Sequence, residues 1–255
     1  MSSGWGKVSR ARGYAWSVFR RPRLHAGHGS TEDDVLTEIV EVFNREHHGI
    51  TFTFDEYYKT EDDTSFGGDV LYRHAWNDTG RFRLQVSLRE RPTLAAASRP
   101  TERQAYFDYL EFDLFNVRAL EPIEMIAEEV RAAFQRAKVR DLYDLHRFAG
   151  TPFDVELLRR LVVLTLWQVR DPFDPETFFT RLKSGVCDWE DIRRLVRSSE
   201  RIKPDEILAS VDRRFAAFRE LSELEQPVIT DATSGWNEPL AERLRSEIRD
   251  LAGQS

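Results

Sequence analysis

Cysteine is almost missing from this chain. Cys187 is the single one in 255 residues, so neither an internal disulfide nor a cysteine-built zinc site can form. Long apolar runs are missing too. None reaches the roughly 18 residues that a membrane helix needs, and the longest, residues 161–167, reads as a buried helix segment. A disulfide-stapled secreted fold and a helical membrane protein are therefore excluded, and the cytoplasm is the expected location. Acids are missing from residues 1–31, which hold Lys7, Arg10, Arg12, Arg20, Arg21 and Arg23. That stretch carries +6, which leaves −13 on the remainder of a chain whose net charge is −7. A secretory leader would need an apolar core, and none is present there. What the chain does have is 41% hydrophobic and 12% aromatic residues, enough to build a real core.

Along the chain, Thr31 opens a helix whose first turn holds Glu32, Asp33 and Asp34, where the macrodipole favours negative charge. Val35, Ile39, Val42 and Phe43 recur at helical spacing, and His47, His48 and Gly49 are expected to end it. Residues 50–54 alternate as a half-buried strand does. Residues 69–76 and 81–88 read as two more strands, with Asn77 to Gly80 as the turn. Residues 91–104 read as a loop, and 112–117 as a short strand. Beyond Leu120 the pattern becomes helical throughout. Pro122 sits at a helix start, and Ile123, Ile126, Val130 and Phe134 form an apolar stripe. Helices follow at 141–148, at 153–169 with Asp154 as N-cap, and near 175–183, 188–198, 204–223 and 236–252. The expectation is an α+β chain without internal repeats.

Residues 120–148 are the most informative. Asp141 and Asp144, three apart, share a helix face, and Arg131 and Gln135 share a face of the helix before it. A basic helix opposite a carboxylate pair can clamp a nucleoside triphosphate and orient an attacking hydroxyl, since phosphoryl transfer needs mainly positioning and charge neutralisation. The same residues can also do no more than cap and cross-link two helices. The segment resembles the conserved block of the AbiEii/AbiGii nucleotidyltransferase toxins, MenT-like toxins among them. That block reads "AEKLRA", a basic "QR-K" stretch and "RDLYDL". Here it stands as Ala127 to Ala132, then Gln135, Arg136 and Lys138, then Arg140 to Leu145. The strand GRFRLQVSLRERP at 80–92, Trp189, and Arg213 to Phe215 look similar as well, so the resemblance spans about residues 31–250.

The resemblance implies a nucleotidyltransferase-like mixed sheet, incomplete in its N-terminal part, followed by an all-helical C-terminal region. Residues 31–119 would be the remainder of the α/β core and 120–255 the helical domain. It implies a toxin of a toxin–antitoxin or abortive-infection system that moves a nucleotide from an NTP to a tRNA-like RNA acceptor. Mg²⁺ and a cognate antitoxin protein are implied too, and no membrane. Asp141 and Asp144 would be the catalytic carboxylates, and Arg131, Arg136 and Arg140 would hold phosphates. Family members also carry a glycine-rich phosphate turn and an acidic "RFSEDLDF" strand whose two acids, two apart, hold the metal. Neither occurs in residues 1–30.

Those residues read as the right DNA in the wrong frame. The genetic code permits residues 16–26 to be written so that, one base later, the DNA encodes Gly-Arg-Phe-Ser-Glu-Asp-Leu-Asp-Phe-Thr. The first and last bases of each shifted codon are largely set by the peptide as it stands, so agreement over ten codons is not cheap. Residues 3–6 likewise permit Arg-Gly-Gly. The frame would be restored between Ala26 and Thr31, leaving residues 1–30 as a basic segment not folded as in the family. The alternative is an ordinary arginine-rich arm that binds RNA phosphates. Two other departures stand out. Glu129 occupies the usual lysine of the helix, and Gln85 the place of a third acid, for which Asp78 and Glu90 are the available stand-ins. A chain lacking this much of the charge clamp is expected to transfer nucleotides poorly. It would then be a decayed toxin homologue that binds antitoxin or nucleotide without catalysis, or a protein adaptor unrelated to nucleotides.

Other residues have blander readings. His47 and His48 read as a helix cap and Cys187 as a packed thiol. His146 is either a base-stacking residue or a solvated helix residue. Residues 65–68, Ser-Phe-Gly-Gly, read as a loop and not as a phosphate cradle. Phe107, Tyr109, Phe112 and Phe115 are expected in the core, with stacking on a nucleotide as the other possibility.

Overall fold

The computed structural model describes residues 23–25, 32–45, 49–60, 65–88, 92–101, 103, 114–184, 189–196 and 201–253. The chain forms two compact units, one ending at Arg91 and the other beginning at Pro92.

The first unit is a four-stranded mixed sheet with one helix. β1 (Arg23–His25), β2 (Thr51–Lys59), β3 (Ser65–Arg73) and β4 (Thr79–Ser87) lie in the order β1-β4-β3-β2. β1 runs parallel to β4, with Arg23 opposite Gln85 and His25 opposite Ser87, and the other pairs are antiparallel. Helix α1 (Glu32–Phe43) contributes Ile39 to a core shared with Phe66, Val70, Leu84 and Val86. Alternation sends Phe66, Val70 and Leu84 to that face, and Asp69, Arg81, Arg83 and Gln85 to the other.

The sheet departs from expectation in two places. Residues 65–68 are not a loop but the first half of β3. The glycines belong there because a Cβ at Gly67 would meet the Tyr58 ring, and one at Gly68 the Phe54 ring. The hairpin loop covers residues 74–78, not 77–80. Asn77 takes the left-handed conformation at φ 67°, which asparagine tolerates, while Gly80 lies within the strand under the Tyr72 ring.

The second unit opens with a two-stranded ribbon, β5 (Ala97–Pro100) and β6 (Asn116–Ala119), so a strand stands inside the expected 91–104 loop. Helices follow: α2 (Pro122–Arg136), α3 (Val139–Ala149), α4 (Val155–Gln168), α5 (Pro175–Ser184) and α6 (Trp189–Leu195), then α7 (Pro204–Arg214), α8 (Glu225–Ser234) and α9 (Glu238–Gly253). The fold is therefore α+β, with no strand after residue 120 among the described residues. Asp154 caps α4, accepting from the backbone N–H of Glu156 (2.8 Å) and Leu157 (3.0 Å). Helix α4 is the axis of the unit and buries Leu157, Leu158, Leu161, Val162, Leu164 and Trp167.

The expected single helix at 204–223 breaks at Phe215 into a 3-10 turn, Ala216–Arg219, and α8 was not expected at all. Phe215 and Phe218 are both fully buried, and the tighter turn places residues three apart on one line. Phe115 is exposed and therefore not core. Phe107, Tyr109, Phe112, His47, His48 and Cys187 lie outside the described residues.

Candidate functional site

The α2–α3 corner is built by local rules. Pro122 starts α2 where its missing N–H costs nothing. At the other end Ala137 turns left-handed (φ 43°, ψ 43°) and donates its N–H to the Ala133 carbonyl. The Arg181 guanidinium of α5 donates to the Phe134 carbonyl at 2.6 Å, closing that helix end. Lys138 is extended, and α3 begins at the next residue. Two residues thus separate the helices, and their facing ends bring four predicted side chains together.

Asp141 occupies the first turn of α3 and is almost fully buried. Its Oδ2 accepts from Arg136 Nε (2.9 Å) and from the Lys138 backbone N–H (3.3 Å), and its Oδ1 accepts from Arg136 Nη2 (2.7 Å). The pair is a bidentate fork, in which geometry adds to charge. Arg140 Nε stands 4.0 Å from the same Oδ1. Arg136 is held above its ordinary pKa, chiefly by the Asp141 hydrogen bonds and also by the charges of Asp141, Glu129 and Asp144. Its side chain remains 37% exposed. Asp144, one turn further along α3, is half-buried.

Arg131 stands apart from this group. Its Nε donates to Glu128 (3.1 Å) and its Nη1 to Gln135 (2.8 Å), whose amide donates in turn to Asp171 (3.0 Å). His146 is half-buried and pairs with Ser210 of α7. Glu90 lies outside the described residues, and Asp78 sits in the hairpin loop, bonded to the Thr79 N–H. Gln85 is six residues up β4 from Thr79, roughly 20 Å at the strand rise, so Asp78 does not stand in for the missing acid.

Two acidic centres escaped the sequence reading. Asp69 on β3 is buried, accepting from Arg83 Nε at 2.8 Å with Arg81 Nη1 at 3.4 Å. Arg83 above all, then Arg81, hold its carboxyl below the usual range. The signal was there: with the hairpin loop at 74–78 the register pairs Asp69 with Arg83, whereas a turn at 77–80 would pair it with Leu88. The other is Glu124 in α2. Its Oε1 accepts from the backbone N–H of Thr93 (2.5 Å) and Leu94 (3.0 Å), while its buried Oε2 has no hydrogen-bond partner among the described residues. Burial pushes its pKa up to about 7 against the pull of those two N–H groups, and the charges of Glu128 and Glu121 add to the rise. Nothing local marks Glu124, because its partners lie 30 residues upstream.

Mg²⁺ fits neither centre. Among the described residues no group of three or more His, Cys, Asp or Glu side chains can hold a metal ion. Nor, among them, is any helix long and apolar enough to cross a membrane.

Comparison with known proteins adds three findings. The family model described as nucleotidyl transferase AbiEii toxin, type IV TA system, matches residues 23–241. The fold is similar to MenT4, a nucleotidyltransferase toxin from Mycobacterium tuberculosis H37Rv, with a TM-score of 0.69 and 22% identity over 85% of this chain and 74% of that one. Among curated proteins, no sequence matches.

Proposed function

The chain belongs to the AbiEii family of nucleotidyl transferase toxins of type IV toxin–antitoxin systems, and from that premise we propose that its intact form transfers a nucleotide from an NTP to an RNA acceptor such as a tRNA 3′ end. The acceptor hydroxyl attacks the α-phosphorus, the bond to the β-phosphate oxygen breaks and pyrophosphate leaves. The observation that carries this reading is the Arg136–Asp141 fork inside the family-matched span. Arg136 and Arg140 hold phosphates, with Arg131 adding charge from the preceding turns of α2. Asp141 is a positioning residue: both its oxygens are engaged, so it aims the guanidinium instead of meeting substrate. Asp144 takes the hydroxyl proton. A cognate antitoxin protein restrains the activity. Magnesium is expected of the intact family, but the described donors do not fit it, and no step here passes through it.

A second reading has its own support. β1 lies beside Gln85 on β4, yet the residues at that place are Arg23, Leu24 and His25, with no carboxylate among them. This strand coincides with the end of the acidic motif that the shifted frame encodes. As it stands, then, the chain is a non-catalytic homologue that binds nucleotide or antitoxin, and one base separates it from an enzyme.

The test is transfer of radiolabelled NTP to total tRNA, by this chain and by a version with residues 16–26 replaced by the shifted reading. Label on RNA from the restored version alone supports both statements. Label from the chain as it stands refutes the second reading, and failure of either version to bind any NTP refutes the first. Sequencing codons 16–26 of the locus checks the frame directly: if they cannot yield the acidic motif one base over, the frame explanation is dead.

A further inference from the structure

One face of the four-stranded sheet carries the core with α1, and the other is polar. The register sets what stands on the polar face. Asp69 pairs with Arg83, Leu71 with Arg81 and Gly67 with Gln85. Tyr58 of β2 pairs with Gly67, and its ring takes the space that a Cβ of Gly67 would fill, so it lies on this face too. The Arg83 guanidinium stands 6.0 Å from the centre of that ring.

Asp69 is buried and accepts the Nε of Arg83 at 2.8 Å. Among the described residues, Nη1 and Nη2 of Arg83 have no hydrogen-bond partner, and its side chain is 46% exposed. The guanidinium is thus held by its Nε, with its two terminal nitrogens unengaged and suited to an anion. Arg81 is 66% exposed, with Asp69 Oδ2 at 3.4 Å. Arg81 and Arg83 are alternate residues of β4, roughly 7 Å apart along the strand, a separation that a short polyphosphate bridges. Gln85, the next residue of β4 on this face, is neutral, and its partner in register on β1 is Arg23. Two further acids stand on the β2 side: Asp55, opposite Asp69, and Glu56 at the bulge, whose charge reaches Arg83 only weakly. A divalent cation finds no free carboxylate at Asp69, which Arg83 engages and Arg81 approaches. The donors fit phosphate oxygens and not Mg²⁺.

We propose that this face of the sheet holds a nucleoside triphosphate without a metal ion: Arg83, aimed by Asp69, and Arg81 grip the phosphates, and the base packs against Tyr58. This rests on the nucleotide-binding reading above, and uses none of the α2–α3 side chains. One ring and two adjacent guanidinium groups suffice for one base and one polyphosphate. Mg²⁺ cancels part of the charge that the arginines recognise, so it weakens binding here, the reverse of a metal-built site.

The test is the affinity of the full chain for each of ATP, GTP, CTP and UTP and for inorganic tripolyphosphate, in EDTA and with Mg²⁺. At least one NTP and tripolyphosphate should bind in EDTA, and Mg²⁺ should weaken both. Arg81→Gln leaves the Asp69–Arg83 pair in place and should weaken both about tenfold. Arg83→Gln should weaken them further, and Arg81→Gln keeps the test open should a stranded Asp69 unfold the sheet. Tyr58→Leu keeps apolar bulk over Gly67 without a π-face. It should weaken the NTP about fivefold or more and leave tripolyphosphate unchanged. Binding that needs Mg²⁺, or that Arg81→Gln and Tyr58→Leu leave as in the parent, overturns this site and leaves the nucleotide reading standing. A chain that binds none of the four NTPs under either condition overturns both. Displacement of the NTP by a short RNA with a 5′ hydroxyl would show that the face holds a strand, and the proposal fails.

Discussion

Glu124 keeps a carboxylate where water barely reaches, held by two backbone N–H groups and crowded by Glu121 and Glu128. Its folded pKa of about 7 lies above the ordinary 4.5. The folded chain therefore holds this proton more tightly than the unfolded one, and stability falls as pH rises from about 4.5 through 7. The size of that loss is on the order of 3 kcal/mol. Glu124→Gln keeps an acceptor for the Thr93 and Leu94 N–H groups without the charge. Urea unfolding should show the parent losing stability relative to this variant between pH 5 and 8, and parallel curves would refute the assignment. Asp141 is a second buried carboxylate, gripped by the Arg136 fork. Asp141→Ala removes an N-terminal helix partner and strands a partly exposed guanidinium. We expect a loss of about 2–3 kcal/mol in denaturant unfolding, with Asp141→Asn milder because its amide oxygen can still accept the Lys138 N–H.

Between elements, the strongest polar tie is Arg159 of α4 with Glu225 of α8, both almost fully buried. Arg159 Nε donates to both Glu225 oxygens at 3.0 and 2.9 Å, and its Nη1 donates to the Ala217 carbonyl at 3.1 Å. The Ser222 N–H also donates to Glu225 (2.7 Å). Glu225→Ala should cost about 3–5 kcal/mol, because it leaves Arg159 charged and buried. Adding Arg159→Met should recover much of that loss in the same unfolding assay, and failure to recover would place the cost in the helix cap instead. This tie also explains why α8 was invisible beforehand. Its run of Pro227, Val228, Ile229 and Thr230 has weak helix propensity, and docking of Val228 and Ala232 into the core, with Glu225 on Arg159, overrides it. In the ribbon, β5 went unseen for a different reason, whereas β6 overlaps the strand expected at 112–117. The exposed β5 buries little, so no apolar alternation marks it.

Taken whole, the molecule is acidic, with a net charge of −7. At this scale the limits of sequence reading follow sequence distance. The α2–α3 corner was legible because Arg136 and Asp141 are five residues apart and helix geometry alone brings them within reach. The Asp69–Arg83 pair depends on a hairpin register, and a turn misplaced by a few residues dissolves it. Glu124 with Leu94 and Arg159 with Glu225 join residues 30 and 66 apart, where no local periodicity applies.

Composition, helix periodicity and a short motif were enough for the α+β class, for most of the helices and for the kinship with nucleotidyltransferase toxins. Each of these is written in spacings of a few residues, which backbone sterics and burial of one face translate directly. Which carboxylates are buried and which arginines they hold were decided by packing between distant segments. There the free energy belongs to pairs that the chain brings together only once it has folded.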